Sequence, residues 1–293
     1  MNKQIENEDD QVTQVNDEQK PFLDVLVHSF FVIPFLIAVF CILLFVSMHL
    51  LTRENQSVFD YLEDIKTGGA TKRWQGAFEL SKFLANPAMV PQDARFVSEL
   101  SSIYEQSKND DPRVRQYLAL AMGRSGKKVF FDTLVDHIEQ EKKENLPAVI
   151  YALGMLQESK ALPILYEYLN DEDARIRSLA VVALGNINDK RALEQLMNKL
   201  NDAEVNVRWG AAISLANMGN QTGENVLLDL LNRDYYKDLP QIDVYEQSSL
   251  MLKTIEAAGK IKSDRLNEKI RWISQNDQNM KIKSAALKFI QNK

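Results

Sequence analysis

Two patterns of apolar and polar residues divide the chain. The first is a charge-free run from Val25 to Leu51, VLVHSFFVIPFLIAVFCILLFVSMHLL. Within it, Phe30 to Met48 supplies 19 residues, and a helix needs about 20 to cross some 30 Å of hydrocarbon. The run is too long, and its N-terminal flank too acidic, for a cleavable signal peptide. One transmembrane helix is therefore expected over 22–52. His28, Ser29, Pro34, Cys41 and Ser47 read as mild polar or kinking features of the span rather than an ion path.

The second pattern is repetition. The segments DPRVRQYLALAMG, DARIRSLAVVALG and EVNVRWGAAISLA begin at Asp111, Asp173 and Glu204. In each, an arginine is followed eight residues later by a small residue. Aligned positions along the chain are Ser81, Gly123, Gly154, Gly185, Ala216, Gly259 and Gln291, at steps of 42, 31, 31, 31, 43 and 32. Three equal steps mark a repeat, and the two long ones mark insertions. Each unit reads as two helices. The second carries apolar residues at helical spacing, as in Ile176, Ala180, Ala183, Leu184 and Ile187. The first helices are expected near 129–141, 161–169, 192–200 and 225–231. Pro112 and Pro163 suit a first helical turn, and Asp171, Asp189 and Asp202 suit turn caps. Gly123, Gly154 and Gly185 are expected to end their helices as left-handed caps.

The pattern D-x-x-x-R-I-R-x-x-A-x-x-A-L-G, seen as Asp171 to Gly185, resembles HEAT repeats. The short period is similar to the HEAT-like repeats first named from phycobilin lyases. The resemblance covers about Ser57 to Ile290 and implies an all-α fold. The expectation is an α-solenoid of about six to seven helical hairpins over 53–293, preceded by the membrane helix and a disordered acidic tail at 1–21. The pattern lapses at Leu146-Pro147 and at Met251, where the arginine is missing. Arg73, Arg115, Arg177 and Arg208 are expected to pair with turn acids of neighbouring units, Asp171 and Asp202 among them.

Charge refines the picture. The net charge is −6, but the first 24 residues carry seven acidic side chains against two basic ones. Lys253 to Lys293 carries ten basic against four acidic. The basic residues beyond the span, beginning with Arg53, place the solenoid in the cytoplasm and the tail outside.

The chain offers little for chemistry. One cysteine excludes a disulfide framework. His137 is the only histidine outside the span, and Thr67-Gly-Gly-Ala-Thr-Lys72 follows no strand and lacks phosphate-loop spacing. No cofactor, metal or enzymatic activity is expected. What remains is binding surface. Trp74 and Trp209 share the position after the arginine; two readings stay open, an exposed contact for a partner and a ring packed over the adjacent repeat. Tyr235, Tyr236 and Tyr245 lie in the longer insertion, 232–245, and are candidates for partner contact. Trp272 is expected to pack.

The resulting reading is a membrane-anchored scaffold that binds protein partners, themselves membrane-associated, and assists assembly or docking of a membrane complex. Two alternatives stay open. One is an accessory or lyase-type protein holding a small molecule in the groove. The other is a lipid- or nucleic-acid-binding module using the basic C-terminal end, with nucleic acid the weaker option.

Overall fold

The computed structural model describes residues 28–51, 57–136 and 138–292. The acidic tail 1–21, the start of the expected span, Arg53 and His137 lie outside the described residues. The chain divides into two units, 1–55 and 56–293. In the first, a π-helical turn (His28–Val32) leads into helix α1 (Ile33–Leu51). Pro34 directly follows the π-helical turn and has no N–H to donate back into it. The stretch Phe30–Met48 is long and apolar enough to cross a membrane, and none of it is buried in protein.

The second unit is built of helical hairpins, with no strand among the described residues. Their members are α2 (Val58–Thr67) and α3 (Ala70–Phe83), α4 (Ala94–Gln106) and α5 (Pro112–Arg124), α6 (Phe130–Val135) and α7 (Leu146–Leu156). Then come α8 (Leu162–Tyr168) and α9 (Ala174–Ile187), α10 (Leu193–Asn198) and α11 (Val205–Asn217), α12 (Glu224–Leu230) and α13 (Val244–Ala258), and α14 (Asp264–Asn276) and α15 (Met280–Gln291). The two helices of each hairpin pack on each other. The second helices, α3 to α15, form one row in which each rests on the next. A lone hairpin buries one side of its apolar stripe; the neighbour buries the other. The row is thus one α-solenoid of HEAT-like repeats, seven hairpins long.

Local chemistry sets the helix starts. Asp93, Asp111, Asp173, Asp243 and Asn279 each accept a hydrogen bond from the first free N–H groups of the helix that follows, satisfying donors that the helix itself leaves orphaned. Ser57 and Asp60 form a reciprocal capping box on α2.

The repeat glycines correct the expectation that they are caps. Gly123, Gly154 and Gly185 lie inside α5, α7 and α9. The left-handed residues stand three positions later, at Gly126, Gln157 and Asn188, and again at Gly219, three after Ala216. The glycines serve packing instead. A Cβ built on Gly123 would lie 2.7 Å from the Cα of Ala152, and one on Gly154 would lie 2.6 Å from the Cα of Ala183. On Gly185 it would strike Ser214. Each partner sits two residues before the aligned small residue of the next unit. At these three joints the second helices meet so closely that no side chain fits on the glycine.

This reverses a general rule. Alanine normally stabilises a helix interior over glycine by about 1 kcal/mol. Gly154→Ala should instead lower stability by roughly 1–3 kcal/mol, because the backbone of Ala183 cannot yield to the added methyl. Gly210 is the matched control. Its Cβ would make ordinary contact, 3.4 Å from Val181 Cγ1, so Gly210→Ala should hold or raise the melting temperature. Equal melting shifts for the two variants would refute the close-packing account.

Candidate functional site

The arginine column shows how the joints are locked. Arg73 in α3 pairs with Asp110. Arg115 in α5 donates from Nε to Glu141 Oε2 at 2.7 Å and from Nη1 to the carbonyl of Tyr104 at 2.6 Å, with its guanidinium 4.0 Å from the Tyr104 ring centre. Arg177 in α9 forms a two-pronged pair with Asp202, at 3.0 and 2.8 Å. Each acid lies in the turn of the following hairpin. A planar guanidinium can hold a carboxylate with two donors and still reach a turn carbonyl with a third, as Arg177 does to Asp171 O at 2.9 Å.

Two members of the column behave otherwise. Arg208 bonds the carbonyls of Asp202 and Ala203, in its own unit, at 2.7 and 2.8 Å. Asp171 caps its own turn through Asp173 N at 2.8 Å, because the preceding unit has Leu146 where an arginine would reach it. The apolar departure at Met251 is compensated. Asp277 occupies the turn position of Asp171 and Asp202, and it is held by Arg233 at 2.8 Å through both oxygens. Arg233 comes from the insertion, so this loop supplies the lock that its own second helix lacks. Nothing in the sequence marked Arg233 for this; the apolar Met251 was the available hint.

The position after the arginine also reaches forward. The Trp74 ring lies under the Arg113 guanidinium, 4.4 Å from its centre. Gln116 donates to the carbonyl of Glu144 at 3.0 Å. Trp209 donates from Nε1 to the Tyr235 hydroxyl at 3.2 Å and stands edge-on to the rings of Tyr235 and Tyr236. The Tyr236 hydroxyl donates to Leu230 O at 2.8 Å, and burial raises its pKa. The reading of Trp209 as an exposed contact is thus corrected: it is 3% exposed, and the insertion covers it. Trp74 is half-buried in the joint between the first two hairpins. Tyr245 is the open member of the set, 83% exposed. Trp272, expected to pack, is 55% exposed.

Between these joints, α9, α11 and α13 enclose a hollow of about 490 Å³. Gly210 leaves its floor bare, Asn186, Asn206 and Asn217 present amides, and Glu246 and Lys253 present opposite charges. Such a lining can orient a polar chain or a partner surface by hydrogen bonds. Among the described residues no cluster of His, Cys, Asp and Glu could hold a metal ion.

HEAT repeats match the chain over residues 99–182 and 165–241. Among solved structures, the complex of CpcE and CpcF of phycocyanin lyase from Nostoc sp. PCC7120 is similar, with a TM-score of 0.55 and 15% identity over 81% of this chain and 96% of that one. This likeness is one of fold. Human deoxyhypusine hydroxylase aligns with a TM-score of 0.35 and 17% identity over 80% of this chain and 85% of that one. No curated protein matches in sequence.

The joint locks should titrate. Hydrogen bonds from Arg177 hold the Asp202 carboxyl below its usual range, outweighing burial. A depressed carboxylate contributes stability above its unfolded pKa of about 4, and that contribution is lost as pH falls through the lower folded value. Asp202→Asn should therefore flatten the decline of melting temperature on acidification below pH about 4. Arg177→Met, which leaves Asp202 with Lys199 at 3.7 Å as its one remaining cation, should cost roughly 1–3 kcal/mol at neutral pH. An unchanged acid profile in the asparagine variant would show that Asp202 does not act as a lock.

Proposed function

We propose that this HEAT-repeat chain is a membrane-tethered scaffold that docks protein partners and assists the assembly of a membrane complex. The observation that carries the tether is the uncovered apolar helix, Phe30–Met48, joined to a repeat unit that begins within a few residues of its end. Covering 19 such residues with lipid is far more favourable than leaving them in water. The flanking charges favour the solenoid on the cytoplasmic side. A tether confines the solenoid near membrane partners and raises its effective concentration towards them. Docking is supported by the six joints between the seven hairpins, which hold the row of helices together, and by a hollow of mixed polar chemistry at α9, α11 and α13. Tyr245 is the proposed aromatic contact among the candidates from the sequence.

A second reading rests on the likeness to the CpcE–CpcF complex. In that reading the same hollow holds a small molecule for an accessory or lyase-type function. Its exposed ionisable side chains, Glu246, Lys253, Glu256 and Lys260, would supply any acid–base chemistry.

Solubilisation of native membranes followed by purification of the intact chain separates the readings. The scaffold predicts that the chain resists alkaline carbonate extraction and co-purifies with a membrane polypeptide in fixed stoichiometry. A chain released by carbonate would sink the tether. A chain that purifies alone with a bound chromophore or other small molecule, seen by absorbance and native mass spectrometry, would replace the scaffold with the second reading.

A further inference from the structure

The joint between α13 and α15 departs from the others. Two residues before the aligned position stand Ala121, Ala152, Ala183, Ser214 and Ala257 in successive hairpins, but Phe289 in the seventh. A Cβ built on Gly259 would accordingly lie 3.9 Å from the edge of the Phe289 ring, not against an alanine backbone. A phenyl ring thus stands where its counterparts carry a methyl or hydroxymethyl group. Two hollows open along the seam, about 550 Å³ at the N-terminal ends of the helices and about 440 Å³ towards their C-terminal ends. They lie end to end along the seam with Leu252 between them, as a trough in two parts. Its walls include Val244, Tyr245 and Met280, which are 69%, 83% and 75% exposed. Large apolar side chains grouped in this way mark an interaction surface.

We propose that this trough docks an amphipathic helix of a protein partner, with carboxylates flanking the helix's apolar face. The inference rests on the scaffold reading and names its site and the chemistry of its partner. Charge complementarity identifies the occupant. Lys281 and Lys288 both line the trough, are exposed, and form no ion pair among the described residues. They are seven residues apart on α15, two turns or about 10 Å, and so match two carboxylates at the same spacing on a helix laid alongside. The trough follows α15 from Asn279 to Asn292, about 20 Å or some thirteen helical residues. Helix side chains can enter its two hollows as knobs, as in other helix-in-groove contacts. A flat lipid surface would leave those hollows empty, and Glu256 on the wall opposes phosphate.

The test uses the full chain in phosphatidylcholine nanodiscs, so that no detergent fills the trough. The probes are two fluorescein-labelled amphipathic helical peptides with one leucine stripe, flanked in one by glutamates at i and i+7 and in the other by lysines at the same places. The glutamate peptide should bind roughly tenfold more tightly at low salt. Met280→Glu, at an exposed site with no fold to break, should abolish binding with an unchanged melting curve. Lys281→Glu with Lys288→Glu should reverse the preference between peptides. Equal binding of the two peptides, binding that survives Met280→Glu, or tighter association with phosphatidylserine vesicles than with either peptide overturns the proposal. Co-purification keeps the two levels apart. A native partner retained by Met280→Glu removes this site and leaves the scaffold standing. Absence of any partner from the unaltered chain overturns both.

Discussion

The structure depends on one steric constraint, the contact of a bare backbone with a small residue between consecutive second helices. Gly123 on Ala152, Gly154 on Ala183 and Gly185 on Ser214 repeat it at a spacing of 29 residues. Because the contact admits no side chain, it fixes distance and register together. The other features of the joint occupy places that this register assigns. The arginine eight residues earlier faces the next turn, and its neighbour faces the start of the next second helix. The left-handed residue three positions later turns the chain out of the row.

The polar locks add direction to that contact. Hydrophobic packing alone tolerates sliding, whereas a guanidinium that must satisfy both a carboxylate and a turn carbonyl does not. Arg115 and Arg177 are bound in this way. Arg233 shows that the requirement belongs to the joint and not to a sequence position. With Met251 in the column, Arg233, an arginine of the insertion outside the repeat alignment, takes the same kind of carboxylate, Asp277. The insertion is also pinned at its aromatic end, where Tyr235 and Tyr236 close over Trp209. The first residues of the insertion, Arg233 to Tyr236, thus brace the fifth hairpin against the seventh.

Periodicity made the architecture legible. The equal steps of 31 and the small residue eight after the arginine exist because each inner helix must pack in one register. They located the hairpins, the proline-started helices and most of the locks. The same small residues were misread as caps, since glycine suits both a left-handed turn and a close approach. Only the coordinates separate the two, placing the turn at Gln157 and Asn188. The tryptophans failed for a different reason. A position that varies between repeats can vary because it is exposed, or because each joint closes over a different neighbour. Trp209, Gln116 and Trp74 belong to the second case. Arg233 escaped because its partner is 44 residues away, beyond any period that the alignment carries.

The exception at Phe289 shows how a repeat scaffold acquires a binding site without losing its fold. Where the second helices meet glycine on alanine, at Gly123 on Ala152 and Gly154 on Ala183, the point of contact itself leaves no room for a side chain. At the last joint a large side chain occupies the position that is otherwise alanine or serine, and the Arg233–Asp277 pair ties that joint together beside the hollows. The apolar surface then exposed by Val244, Tyr245 and Met280 carries a cost in water that an occupant would remove. The neighbouring lysines add selection among occupants rather than raw attraction.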